Sequence, residues 1–297
     1  MGGSVLVTGA GGFVGSHLRE LLGESFVPFE GDVLDAAATG AAVRELRPSG
    51  VVHLAAESSV AGSWEDPARV WGVNVVGTVN VLEAVRREQP RARVLFPSTG
   101  EVYGRAERVP TPEDEPVFPL SPYAGSKAAG ELACTQAGRG SGLDVVVARA
   151  FNQEGPGRDE RFAVGSWASQ IVRLEAEGGG TLLVGDLSAE RDLTDVRDVC
   201  RAYSLLLDPS VPAGTYNVAS GRAVAMRRVL ELLIEHAAVP VRVEQDNARL
   251  RPADIPRLAG DPARLRAATG WEPGIPLERT LADTLAAARE TEVTRVL

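Results

Sequence analysis

Tyr123-Ala-Gly-Ser-Lys127 places a phenol and an ammonium four residues apart. On a helix, residues i and i+4 share a face. A free tyrosine ionises near a pKa of ~10, too high for a ready base at neutral pH. An adjacent ammonium favours the phenolate and lowers that value towards the range where proton transfer is efficient. Ser98-Thr99 stands upstream, and the Thr99 hydroxyl can donate a hydrogen bond to a carbonyl or alkoxide oxygen. Thr99, Tyr123 and Lys127 together suit the movement of a hydride and a proton at a carbinol carbon. Glu101, two residues beyond Thr99, has two readings: an acid or base at a carbon next to a ketone, or a cap on a backbone loop. A bare Tyr-x-x-x-Lys recurs by chance, so its weight here comes from what precedes it. Lys127 is also the only lysine in a chain that otherwise uses arginine.

The elements that must position these groups are legible around them. Ser4–Thr8 is a short apolar run of the buried parallel-strand type. Gly9-Ala-Gly-Gly12 can only be a tight turn, and Gly12–Leu22 has the length and spacing of a helix. A glycine turn that feeds a helix N-terminus aims free N–H groups and the positive dipole end at a diphosphate. The spacing Gly9-x-x-Gly12-x-x-Gly15 departs from G-x-G-x-x-G, but the strand–turn–helix context is present. Further strands are predicted at 25–29, 51–54, 93–96 and 144–148, with helices at 36–46, 67–88 and 122–137. That alternation predicts an α/β doubly wound parallel sheet with ligands beyond the strands' carboxyl ends, where Thr99 and His53 fall. Ser121-Pro122 supplies an N-cap and first-turn proline for the helix of Tyr123. Lys127 is then also placed to hold the ribose hydroxyls of a nicotinamide dinucleotide. The second half is less regular. Helices are predicted at 226–237, 261–269 and 277–291, and a strand running into a helix over 194–207.

Composition bounds the alternatives. With 44% hydrophobic residues the 297-residue chain can bury a full core. Its formal charge of −9, from 31 basic and 40 acidic side chains, argues against a nucleic-acid or anionic-membrane partner. No apolar run approaches the ~20 residues of a membrane span, and no charged-then-apolar leader precedes the first strand, so the chain reads as cytoplasmic. Cys134 and Cys200 are far apart in sequence and read as reduced, buried thiols. No His, Cys and carboxylate spacing suggests a metal site.

A wider set of segments carries a resemblance: TGAGGFVGSHL at 8–18, HLAAESSV at 53–60, STGEVYG at 98–104, SPYAGSK at 121–127, ARAFNQEGPG at 148–157, ERDLTDVRDV at 190–199, YNVASG at 216–221 and LRPADIPRLAGD at 250–261. In these the chain resembles, nearly end to end, the extended short-chain dehydrogenase/reductases of the NAD-dependent epimerase/dehydratase family, which act on nucleotide sugars. The segment at 250–261 resembles the GDP-sugar branch, and residues 58–86 and the ATGWEPGIPLERTL ending look closer to its 4-ketoreductases than to its 4,6-dehydratases. The resemblance implies a Rossmann domain over 1–151 and about 192–212, and a nucleotide-sugar lobe over 152–191 and about 213–297. It implies reduction of GDP-4-keto-6-deoxy-mannose to GDP-6-deoxy-mannose with NAD(P)H. Alternatives are a 4-epimerase or 4,6-dehydratase that retains its cofactor, or a catalytically silent dinucleotide sensor.

Carried over by residue, Gly9, Gly12 and Gly15 would cradle the pyrophosphate, with Phe13 and Val14 also at the cofactor. Asp32 and Val33 would meet the adenine, and Leu54, Ala55, Ala56 and Asn74 would line the rest of the cofactor site. Ser58, Thr99, Glu101, Asn152, Arg191, Arg251 and Asp254 would hold the substrate, the arginines through bidentate phosphate contacts. Gly100 stands where relatives often carry an acidic or hydroxyl residue, which disfavours dehydration. Glu30, near the end of the second strand, suits a ribose 2′-hydroxyl and would repel a 2′-phosphate, so NAD(H) is slightly preferred. Relatives dimerise through a four-helix bundle, which here would use 67–88 and 122–137; Val70, Val73, Val81 and Val85 offer apolar positions, which core packing against the sheet explains equally well.

Overall fold

In the computed structural model the described residues are 3–249 and 255–296. The first lobe is a six-stranded sheet in the order β2-β1-β3-β4-β5-β9, parallel throughout. Its strands are β1 (Val5–Thr8), β2 (Phe26–Pro28), β3 (Gly50–His53), β4 (Arg93–Thr99), β5 (Val145–Ala150) and β9 (Gly214–Val218). The helices between them are α1 (Phe13–Leu22), α2 (Ala36–Leu46), α3 (Pro67–Trp71), α4 (Gly77–Glu88), α5 (Pro122–Ser141) and α7 (Val196–Leu206). Side chains alternate across a strand, and both faces of this sheet are covered. Val5, Val7, Val52 and Leu95 pack with Leu18 of α1 and Val199 and Tyr203 of α7. Leu6, Val51, Val94 and Phe96 point the other way, onto Val43 of α2, Val81 and Val85 of α4 and Cys134 of α5. Strands buried on both faces therefore read as continuous apolar runs, as the sequence does.

Local chemistry sets the helix starts. Asp35 accepts from the N–H groups of Ala37 and Ala38 at the head of α2, and Asp66 accepts from Arg69 N–H at the head of α3. Ser121 accepts from Ala124 N–H, with Pro122 at the first helical position of α5. The helix predicted at 67–88 is interrupted. A π-turn over Gly72–Val76 separates α3 from α4, and Asn74 sits buried inside it. A 3.6-residue apolar period does not reveal such a widening, since only the hydrogen-bond register changes.

The second lobe holds β6 (Asn152–Glu154), α6 (Ala163–Glu177), β7 (Gly180–Val184), β8 (Glu190–Asp195), β10 (Ala223–Ala225), α8 (Met226–Ile234), β11 (Val241–Gln245), β12 (Arg257–Leu258), α9 (Ala263–Thr269) and α10 (Leu277–Val296). Strand β8 is central, antiparallel to β10 and parallel to β12 and β6. Helices α6, α8 and α10 enclose a separate core around Trp167, Ile171, Leu233 and Leu285. Two features differ from the sequence reading. Strand β9 completes the first lobe's sheet, so a division at about 212 falls short of it, and α9 packs back on that lobe through Leu265. Helix α6 and strands β7 and β11 were not anticipated: the buried residues of α6 and Leu182 and Val184 of β7 face this second core, while β11 is mostly exposed, and none of the three shows a long uninterrupted apolar run.

The apolar positions put forward for a dimer are spent inside the chain. Val70, Val81 and Val85 are buried, and Val73 packs against the sheet core. The outward face of the same helices instead exposes Trp71, Val76, Val79 and Leu132, the last at 71%. Cys134 and Cys200 are both free and buried.

Candidate active site

Strand β1 ends at Thr8, and the chain turns at Gly9 with a φ of 66°, a left-handed conformation that favours glycine. A side chain there would also run into the backbone of Leu54 and Ala55, with Ala55 N only 2.6 Å from the Cβ position. The turn closes through Gly12 N–H donating to Gly9 O (3.1 Å). Gly12 then begins α1 with no side-chain cap, which leaves the first-turn N–H groups of Phe13, Val14 and Gly15 to an external partner. Beside the turn lies a cavity of about 820 Å³, lined by Gly9, Glu30, Asp32, Val33, Ala55, Ala56 and Arg69, among others. This cradle fits the diphosphate and adenosine end of a dinucleotide. The Asp32 carboxylate accepts Leu34 N–H (2.9 Å), and Arg69 is held by Glu57 (2.8 Å). Leu54 packs on the sheet core rather than into this cavity.

Strand β4 ends at Thr99, whose hydroxyl accepts Glu101 N–H (3.2 Å). Burial pushes the Tyr123 phenol up to about 12, and the neighbouring Glu101 carboxylate adds to this. The Thr99 hydroxyl and the Arg158 guanidinium act in the opposite direction. The activation of Tyr123 by Lys127 anticipated from their spacing is absent from these causes. The Lys127 ammonium instead lies 4.4 Å from the centroid of the Phe96 ring, and burial lowers it to about 8. Tyr123 is therefore a neutral phenol, the form that gives up a proton to an alkoxide.

Two polar networks flank this set. On one side Glu131, one turn beyond Lys127, accepts from Ser98 Oγ (2.5 Å) and from the Arg149 guanidinium (2.6 Å). Arg149 stacks on the Tyr103 ring, and the Tyr103 hydroxyl donates to Asn217 of β9 (2.8 Å). On the other side the Asn74 amide is used up within the protein. It accepts Glu57 N–H and donates to Glu57 O and to Ser126 Oγ. Asn74 thus shapes the cleft through Glu57 and Ser126, and its side chain does not reach into it.

The profile of the GDP-mannose 4,6 dehydratase family matches residues 23–284 of this sequence. The chain belongs to that family. The GDP-6-deoxy-D-mannose reductase of Pseudomonas aeruginosa is 38% identical over 287 residues, 93% of this chain and 94% of that protein. The structure of RMD from Pseudomonas aeruginosa complexed with NADPH superposes with a TM-score of 0.90 at 37% identity, covering 97% of this chain and 99% of that one. The Thermus thermophilus UDP-glucose 4-epimerase in complex with NAD gives 0.86 at 32% identity, covering 96% and 99%.

Within this family frame the sequence-derived substrate residues are only partly gathered. Asn152 opens β6 and is half-buried, whereas Ser58 is exposed in the loop after β3. Arg191 is buried, and its Nη1 donates to the carbonyls of Glu190 (3.0 Å) and Ile255 (2.7 Å). Arg251 and Asp254 lie outside the described residues. The structure adds Arg158, which the sequence reading passed over. Its guanidinium is sandwiched by the rings of Phe13 (4.9 Å) and Phe162 (3.7 Å). The carboxylate of Glu154 stands 3.3 Å away, near enough for an ion pair but without hydrogen-bond geometry. Its one sequence signal is an arginine four residues after a glutamate across a Gly-Pro-Gly turn. Gly100 also acquires a reason: the Phe151 ring lies 2.7 Å from where its Cβ would stand.

Proposed function

We propose that this protein is a nucleotide-sugar 4-ketoreductase that reduces GDP-4-keto-6-deoxy-mannose to GDP-6-deoxy-mannose. The observation that carries the reading is the half-buried Tyr123 phenol, kept neutral by its surroundings and acted on by the Thr99 hydroxyl at the end of β4. A nicotinamide dinucleotide, when bound along the uncapped start of α1, supplies the hydride. Thr99 holds the ketone oxygen, and Tyr123 donates the proton that this oxygen takes up as it becomes a hydroxyl. Lys127, one turn along the same helix, would hold the ribose hydroxyls of that dinucleotide. Likeness to the Pseudomonas aeruginosa reductase over 93% of the chain supports the substrate class.

NAD(H) is modestly favoured over NADP(H), because the Glu30 carboxylate lines the adenosine end. The exposed face of Trp71, Val76, Val79 and Leu132 supports a homodimer through α3–α4 and α5. Glu101 beside Tyr123 favours one rival, a dehydratase or epimerase that keeps its cofactor. The Phe151 ring against Gly100 weighs against the dehydratase, since it leaves no room there for a further polar side chain.

The test is calorimetric binding of GDP, UDP and dTDP, followed by turnover of GDP-4-keto-6-deoxy-mannose with NADH and NADPH. Tight GDP binding, turnover, and a Tyr123→Phe variant slowed by roughly 10²–10⁴ would support the reductase. Preference for UDP or dTDP, or a dinucleotide that co-purifies and never exchanges, would replace it with the self-recycling alternatives.

A further inference from the structure

Strand β3 ends at His53, which is 2% exposed and takes no part in the chemistry above. Each of its ring nitrogens meets a hydroxyl: Nδ1 lies 2.8 Å from Thr8 Oγ1, and Nε2 lies 3.1 Å from Thr78 Oγ1. The direction of each bond follows from what the hydroxyls do elsewhere. Thr78 has one hydrogen and gives it to Asn74 O at 2.6 Å. It must then accept from His53, which puts a proton on Nε2. Thr8 Oγ1 already accepts Ala55 N–H at 3.2 Å, so its own hydrogen goes to an unprotonated Nδ1. A proton on Nδ1 would aim two donors at Thr8 Oγ1 and turn the threonine hydrogen away from the imidazole.

We infer that His53 is a positioning residue, a neutral Nε2–H imidazole that fixes the glycine turn relative to the helix carrying Tyr123 and Lys127. The hydrogen bonds form one directed chain. Ala55 N–H donates to Thr8, and Thr8 to His53. His53 donates to Thr78, and Thr78 to Asn74 O. The Asn74 amide then grips the backbone of Glu57 and donates to Ser126, whose hydroxyl donates to Tyr123 O at 2.8 Å. Thr8 immediately precedes Gly9, and Ala55 and Glu57 line the cavity, so the chain joins both walls of the cleft to the reacting side chain's own backbone. The groups packed on His53 agree with a neutral ring. The Phe96 ring of β4 lies 6.1 Å away, and the Lys127 ammonium of α5, which rests on that same ring, is the charge that acts on it. Burial and that ammonium hold the imidazole down to about 3.

The functional consequence rests on the dinucleotide reading, so the tautomer and the binding effect are tested separately. Nitrogen-15 spectra of the histidine-labelled full chain, with His53 assigned by its loss in His53→Gln, should show a protonated Nε2 and a bare Nδ1 at pH 7. They should remain so at pH 5. A proton on Nδ1, or titration between pH 5 and 8, overturns the inference. His53→Phe fills the volume but offers neither donor nor acceptor, whereas His53→Gln retains one of each. The dissociation constant for the dinucleotide should rise about tenfold in His53→Phe and stay within about threefold in His53→Gln. Equal losses, or none, would make His53 an ordinary core residue. If His53→Phe does not fold, Thr78→Val replaces it. An unchanged Nε2–H signature together with unchanged dinucleotide affinity in that variant would also overturn the inference. A wild-type chain that binds no dinucleotide would sink the cofactor reading, while the nitrogen spectra would still decide the tautomer.

Discussion

Replacing Lys127 by methionine should remove turnover and, at the same time, make the folded chain more stable. Lys127 is 5% exposed. The carboxylate that acts on it, Glu131, is spent on Arg149 and Ser98. Burial takes Lys127 from an ordinary 10.5 to about 8. At about 1.36 kcal/mol for each factor of ten, the charge costs the native state about 3 kcal/mol. Its contact with the Phe96 ring returns up to about 2 kcal/mol, so Lys127→Met should gain roughly 1–3 kcal/mol at pH 7. The sign with pH follows from proton binding. The native lysine loses its proton near 8, while the unfolded one keeps it to 10.5, so the unfolded chain binds more protons in that window. Wild-type stability therefore rises through the window relative to the variant. The gap is full below pH 8, narrows to under about 1 kcal/mol by pH 10 and closes above 10.5. Paired urea unfolding of the two proteins at pH 7 and pH 10 measures it. A variant less stable than wild type at pH 7, or a gap that does not shrink with pH, would refute the claim that Lys127 is a destabilising charge kept for its chemistry.

The neighbouring residues give three more expected outcomes. Glu131→Gln leaves the Arg149 guanidinium buried without its carboxylate and should cost about 3–5 kcal/mol by denaturant unfolding, part of which a second change, Arg149→Met, should restore. Glu30→Ser removes the carboxylate at the adenosine end and should move the NADPH-to-NADH ratio of kcat/KM about tenfold towards NADPH; no movement would take Glu30 out of cofactor selection. Val79→Arg with Leu132→Arg places two cations on the exposed helix face and should give a monomer by light scattering, whereas an unchanged mass would exclude that face as the dimer contact.

Much of the first lobe was legible because its strands are buried on both faces and its turns use glycine and proline. The runs at 5–7, 51–54 and 93–96 needed no tertiary information to be read as parallel strands. The second lobe was less so. Its core is built from faces of α6, α8 and α10 that meet only in three dimensions, and β9 crosses back to the first sheet after a helix and a loop. Of the site, Thr99, Tyr123 and the glycine turn were visible as types at a spacing. Arg158 was not, since nothing local shows that Phe13, some 145 positions earlier, supplies one of the two rings that hold it.

The chain's order of residues determined which groups can do chemistry: one lysine, one tyrosine a turn before it, and a threonine at a strand end. It also determined the parallel-sheet fold that brings them to one edge, because period and turn chemistry are local properties. Their protonation was decided only by the tertiary structure. A spacing of four residues suggested that Lys127 lowers the Tyr123 pKa, yet the fold turns the ammonium onto Phe96 and half-buries the phenol, which rises to about 12. The cause is solvation: whether a group keeps its water depends on packing from distant segments, and no reading of neighbours along the chain supplies that.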